Sequence, residues 1–443
     1  MHRVLLLFLL LLSISAAQPV FSLPAAQAEP TIATIEIGLS AQGRPITALR
    51  IGDGPRKLVL VGNTHGFPEA NTYVLATLLA DHFRANPQEV PPSVRLYIIP
   101  TLNPDGLALG TRFNARGVDL NRNMNTSHDA CGENDWQVTV QGAYGVVSDT
   151  GGPYADSEVE TRLIRDFLLD ASAVIFFHSN AGNVFPAACE HPPSIALAQQ
   201  YAAGAGYSYA RYWEAYTITG GMHDWAGSMG IAAIIPELIT GQLPEFEQNI
   251  GGVRAVLAQA DELLPPLADL VVEGQAVPAP IWRFWRMHGG AERFGPPLTP
   301  PQPQADGRVL QYFTNALLTL DPQYADTPYL VQAAPLGSAL TPPPGPQAPP
   351  PPDARVFAET GQAIYGAFGV FWEIHGGVRV FGFPISGEYR AIAADGQRRI
   401  MQRFERAVFA YYPEDDRVRL EPLGWADLAR ARAQDAVLPH NLR

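Results

Sequence analysis

From Thr31 to about Pro266, short apolar runs rich in β-branched residues alternate with longer stretches of helical periodicity, and nothing else in the chain restricts the fold as strongly. The strand candidates are TIATIEIG, PITALRIG, KLVLVGN, VRLYIIPTLN, AVIFFHS and IAAIIPELI. Between them lie EANTYVLATLLADHF, SEVETRLIRDFLLD, PSIALAQQYAAGAG and EFEQNIGGVRAVLAQADELL, which carry helical spacing. Ser157 and Glu160 have the spacing of a capping box at the start of the second. Nearly continuous apolar strands need cover on both faces, so the expectation is an α/β domain with helices on both sides of a central mixed sheet. Sites in such folds gather beyond the carboxyl ends of the strands. His65, Asn103, His178 and Glu237 all fall at or near such ends.

Beyond Pro266 the chain repeats itself with a period of 87 residues. Gly274–Gly295 matches Gly361–Gly382, DGRVLQYF echoes DGQRRIMQRF, and Pro335-Leu336-Gly337 echoes Pro422-Leu423-Gly424. A proline-rich tether, LTPPPGPQAPPPPDA, separates the copies and predicts extended, semi-rigid chain. At the other end, Val4–Ser15 is apolar, follows an arginine and precedes small residues, the pattern of a secretory signal peptide cleaved between Ala17 and Ala28. An uncleaved anchor is the alternative. The expected organisation is a signal peptide (1–28), an α/β domain (31–266), a first small aromatic-rich module (270–338), a linker (339–354) and a second module (355–432).

The net charge is −13 and Lys57 is the only lysine, so the chain lacks a basic stripe for nucleic acid and amine chemistry at lysine is nearly excluded. Two cysteines, Cys131 and Cys189, suggest one disulfide in an exported protein, with a pair of buried thiols as the alternative.

His65 and Glu69 alone, in VGNTHGFPEANTY, would more often be turn residues than metal ligands. They gain weight in series with NPDG (103–106), TRFNARGVDLNRN (111–123), FFHSN with His178, YTITGGMHDW (216–225) and PELITG with Glu237. In this order, over about residues 31–265, these motifs resemble the zinc carboxypeptidases of the carboxypeptidase A type. The resemblance implies one Zn2+ held by His65, Glu69 and His178, a ligand set that leaves a position open for water. It implies Glu237 as general base towards that water and proton donor to the leaving amine. Arg112 matches the oxyanion-stabilising arginine, and Asn121 with Arg122 matches the pair that grips a substrate's terminal carboxylate. Tyr216 stands where the family places a tyrosine that closes over substrate. His223 stands where a residue lines the pocket for the terminal side chain; packing beside Trp225 is its alternative role.

Two departures qualify the match. The family usually spaces its first two ligands HxxE, whereas His65 and Glu69 give HxxxE with Pro68 in between; this resembles a bacterial secreted branch. Phe67 stands where animal enzymes carry a further substrate-binding arginine. His128 and His191 read as surface loop residues. A Cys131–Cys189 disulfide would tie the loop after DLNRN to the loop after His178.

The repeats resemble LGFP-type modules of exported bacterial proteins, clearly for 361–428 and less so for the first copy. Trp285 and Trp372 read as core. The expected protein is therefore a secreted or cell-surface zinc carboxypeptidase acting on peptides with a free C-terminal carboxylate, with no membrane span after signal cleavage. The LGFP resemblance adds a cell-wall polymer as a partner of the modules. A zinc amidohydrolase acting on peptidoglycan stem peptides and an inactive wall-binding or adhesion protein are the alternatives.

Overall fold

The computed structural model describes residues 30–142, 145–341 and 344–437. The signal-peptide segment lies outside the described residues, as do two residues of the proline-rich linker.

A nine-stranded mixed sheet organises the first half. Its strands are β1 (Ile32–Leu39), β2 (Pro45–Ile51), β3 (Arg56–Val61) and β4 (Val94–Ile99), followed after a short hairpin of β5 (Val140–Gln141) and β6 (Val147–Ser148) by β7 (Ala171–Phe176), β8 (His178–Ser179), β9 (Asn183–Pro186), β10 (Ser208–Tyr209) and β11 (Ala232–Leu238). The spatial order is β1-β2-β4-β3-β7-β11-β9-β10, with β8 pairing β11. The centre, β4-β3-β7-β11, is parallel; β1–β2, β2–β4 and β11–β9 are antiparallel, and the edge pair β9–β10 is parallel again.

Strand alternation divides the core in two. Leu58 and Leu60 of β3 face α1 (Ala70–Ala85), α4 (Pro192–Ala205) and α6 (Phe246–Ala258), whose Leu75, Leu79, Tyr201 and Val253 share their apolar cluster. Val59 and Val61 face the opposite side, with Phe167 of α3 (Val159–Phe167) and Trp225 of α5 (Met222–Ser228). Both faces are covered, as the near-continuous apolar strands require.

The capping box does not form. Helix α3 starts at Val159 without a side-chain cap, and Ser157 Oγ donates instead to Glu158 Oε1. Glu160 is fully buried and accepts from the Ala41 backbone N–H at 2.9 Å. A tertiary partner has displaced the local one.

The two repeats share one element order. Each has a short hairpin, a helix pair (279–287 and 290–294; 366–374 and 377–381), a four-stranded antiparallel meander and a further helix. Trp285 and Trp372 are buried, and their indole N–H groups donate to the carbonyls of Gly295 and Gly382 at 2.9 and 3.0 Å. Both glycines have φ near +75°, which a side chain would resist. Gln311 and Gln402, on the meanders, each donate to two backbone carbonyls, one in the short hairpin (Ala276, Ala363) and one in the loop before the meander (Thr299, Ser386), and so tie hairpin and meander together.

The copies exchange their last elements. Gly337 lies against Phe404 O and Gly424 against Phe313 O, so each Leu-Gly docks on the other copy's turn. Ser338 N–H donates to Glu405 O and Trp425 N–H to Thr314 O, both at 2.9 Å. The first copy also completes the α/β half: Val277, Ile281 and Phe284 join the cluster that contains Phe167 and Tyr97. Arg283, 5% exposed, donates to the carbonyls of Met229, Leu169 and Ala171 at 2.9–3.0 Å. No helix among the described residues is long and apolar enough to cross a membrane.

Candidate active site

The turn after β3, the N-terminus of α1 and the start of β8 bring three side chains together. His65 follows β3, and Glu69 sits at the N-terminal boundary of α1, so the extra HxxxE residue is absorbed in the turn before the helix. His178 opens β8 and pairs in register with Glu237 on β11. His65 Nδ1 is 2.7 Å from Glu69 Oε1, His178 Nδ1 is 2.9 Å from Glu69 Oε2, and the two Nδ1 atoms are 3.1 Å apart. All three residues are buried, and their ligand atoms lie within 4.8 Å of one another.

The electrostatics suit a cation at this point. Burial penalises the Glu69 carboxylate, but the two imidazoles beside it outweigh that cost and hold it well below the usual carboxylate range. Burial pushes His178 down to about 4, which keeps it neutral, as a metal ligand must be. Two neutral-capable imidazole nitrogens and a carboxylate, converging and buried, form the donor set of a catalytic zinc site. The residues fit the metal.

Asp119 completes this cluster, and the sequence reading gave it no role although it lies inside GVDLNRN. Its Oδ1 is 2.9 Å from His65 Nε2 and also accepts the Asn121 N–H at 3.0 Å. A carboxylate on Nε2 fixes the tautomer that leaves Nδ1 bare for a metal. Arg112 spans the same groups, with Nη1 to Glu69 Oε1 and Nε to Asp119 Oδ2, each 3.0 Å. Burial disfavours the Asp119 carboxylate, yet Arg112 and His65 hold it well below its ordinary range.

Around the cluster opens a cavity of about 1110 Å3, lined by Arg112, Arg122, Tyr216, His223 and Glu237 among others. Glu237 is partly accessible from the cavity. Desolvation, followed by the charge of Glu69, pushes its carboxyl up to about 8. Arg122 is held by main chain: Nη1 donates to Asn121 O at 2.8 Å, and Nε and Nη2 reach Gln141 O at 3.2 and 3.3 Å. No carboxylate pairs with it among the described residues. Asn121 Oδ1 accepts the Met222 N–H at 2.9 Å, tying this corner to α5.

Tyr216 stands over that corner, its ring centre 5.9 Å from the Arg122 guanidinium and 5.5 Å from Trp213. His223 also lines the cavity; Nε2 is 3.4 Å from Asp224 Oδ1, and burial lowers its pKa. Cys131 and Cys189 are bonded, joining two loops of the rim. His128 and His191 stand apart from the ligands and are half-buried rather than fully exposed; His191 Nδ1 contacts Ser194 Oγ at 2.7 Å. All the expected site residues thus meet in one cavity.

A family model described as zinc carboxypeptidase matches residues 24–249. Carboxypeptidase B of Astacus astacus is 29% identical over 34% of this chain and 55% of its own, so the chain spans little more than half of that relative's length. Murein peptide amidase A of Escherichia coli (strain K12) is 25% identical over 52% of this chain and 89% of its own. Among solved structures, bovine thrombin-activatable fibrinolysis inhibitor aligns at 20% identity and a TM-score of 0.44, covering 52% of this chain and 90% of that one. The match spans half of the chain and encloses the His65, Glu69 and His178 cluster: the chain belongs to the zinc carboxypeptidase family.

Proposed function

We propose that this protein is an exported zinc metallocarboxypeptidase that removes the C-terminal residue of peptides. The observation that carries the reading is Arg122, a buried cation in the same cavity as the ligand cluster whose described hydrogen-bond acceptors are all neutral carbonyls. A guanidinium in that state favours an anionic ligand, and a peptide's terminal carboxylate meets its fork in two parallel hydrogen bonds. Asn121 completes the grip, and Tyr216 covers the bound end.

His65, Glu69 and His178 would hold one Zn2+, which supplies a Lewis acid and makes its water acidic enough to ionise near neutral pH. Glu237 takes the proton of the attacking water and returns it to the leaving amine. A carboxyl raised by burial is suited to both halves of that exchange. Arg112 places its positive charge where the substrate carbonyl oxygen becomes negative.

A second reading, hydrolysis of amide bonds in peptidoglycan stem peptides, draws support from the murein peptide amidase, most of whose length this chain matches. Both substrates offer a free carboxylate to Arg122. Secretion, and attachment to a cell-wall polymer through the two repeats, complete the proposal.

The test is metal content together with hydrolysis of blocked dipeptides by the mature protein and by Glu237→Gln. About one zinc in each, with the terminal amino acid released by the wild type and roughly 10³-fold more slowly by the variant, is the expected result. Zinc retained with dipeptides intact and stem peptides cut selects the second reading. No zinc in either protein defeats both and leaves the inactive binding protein.

A further inference from the structure

Comparison of the two repeats shows what is particular to the first. At the 87-residue offset, Trp282, Arg283 and Arg286 correspond to Gly369, Val370 and Glu373. Val370 and Glu373 are exposed, whereas Arg283 is buried against catalytic-half carbonyls and Arg286 is half-buried. The Arg286 guanidinium lies 5.1 Å from the Trp282 ring centre, and its Nη2 donates to the carbonyl of His128.

His128 belongs to the loop from Met124 to Asn134, and that loop borders the cavity. Thr126 Oγ1 donates to Asn134 O at 2.7 Å, and the same carbonyl accepts the Gly220 N–H at 2.9 Å. Met124 N–H donates to Gly220 O at 3.1 Å. Gly220 lies between Tyr216 and His223, so both ends of the loop grip the segment that carries them. Cys131 links the same loop to Cys189, and Asn121 and Arg122 are separated from it only by Asn123.

We propose that Arg286 is a positioning residue for the carboxylate-binding side of the catalytic cavity, a role the first repeat plays by bracing loop 124–134 through the His128 carbonyl. This rests on the reading of Arg122 as the carboxylate grip. The repeat then serves the enzyme directly, whereas Glu373 at the matching position of the sister copy accepts from the Tyr154 hydroxyl at 3.2 Å instead of holding the His128 carbonyl.

The experiment compares Arg286→Ala, Arg286→Lys and Glu373→Ala in the full zinc-loaded chain, by steady-state kinetics on a blocked dipeptide and by amide hydrogen exchange. Arg286→Ala is expected to raise KM about tenfold with kcat within about twofold, since small misplacements of a binding group weaken positioning. Lysine, which keeps a donor, restores most of the loss, and Glu373→Ala behaves as wild type. Exchange should quicken at 124–134 and Gly220 while strands 309–312 and 317–320 keep their protection. Unchanged KM and loop exchange would overturn the proposal. So would faster exchange throughout the repeat, or an Arg286→Ala protein that does not fold, because either makes Arg286 a general stability residue. If the wild type leaves dipeptides intact, the activity reading fails, and loop exchange alone decides on the brace.

Discussion

Replacing Arg122 with methionine keeps much of the aliphatic stem and removes the charge. Arg122 is 2% exposed and its described hydrogen-bond acceptors are the carbonyls of Asn121 and Gln141, so under the proposed reading a substrate carboxylate would be its direct ion partner. A carboxylate about 4 Å away at an effective dielectric of about 20 gains about 4 kcal/mol. That is roughly a 10³-fold effect on kcat/KM. The assay pairs a blocked dipeptide acid with its C-terminal amide, which offers no anion. The variant should lose roughly 10³-fold on the acid and less than about threefold on the amide, so that the preference between them collapses. Zinc content and melting temperature, measured alongside, should be unchanged. A loss below about tenfold on the acid, or equal losses on acid and amide, would refute the electrostatic grip.

Glu69→Ala should abolish stoichiometric zinc and activity together while the protein stays folded; full zinc occupancy in that variant would remove Glu69 from the ligand set. Replacing both cysteines by serine frees a loop with a sequence separation of 58 residues, for which chain entropy gives a loss of about 4 kcal/mol; an unchanged urea midpoint would contradict it. Burial pushes His128 down to about 4 and His375 down to about 3, both below the value near 6.5 expected in the unfolded chain. The unfolded chain therefore takes up protons first, and stability present above about pH 6.5 is lost as pH falls towards those values. Equal denaturation midpoints at about pH 7 and pH 4.5 would refute this.

Much of the fold was legible because strand and helix here agree with their local patterns. The six apolar runs became β1, β2, β3, β4, β7 with β8, and β11, and the four helical patterns became helices. What escaped is short: β9 and β10 have four and two residues, too few to show a period. The His65, Glu69 and His178 cluster, and Arg122 in the same cavity, were legible through their motifs. Asp119 was missed because a buried aspartate inside a loop has no signature of its own until the ring it supports is located; only its place two residues before Asn121 hinted at it. The Ser157–Glu160 pair misled for a related reason. Its spacing was right, but Glu160 is fully buried and a backbone donor from residue 41, far off in sequence, took the carboxylate.

The repeats set a limit of a different kind. An 87-residue period identifies the unit but not what the unit packs against. Each copy is too small to bury its aromatic core alone, and the exchange of Leu336-Gly337 and Leu423-Gly424 gives each turn a cover from its sister. Reciprocal docking is symmetric, so it leaves the same signature in both copies and cannot be told from internal packing by sequence. The docking of the first copy on the catalytic half is asymmetric and did leave a trace: arginines at 283 and 286 where the second copy has valine and glutamate. Departures from a repeat, more than the repeat itself, mark the face that has acquired a partner. By that rule both copies are built into the enzyme, the first through Arg283 and Arg286, the second through Arg379, which stands where the first copy has Glu292 and donates from Nε to Asp166 Oδ2 at 3.1 Å.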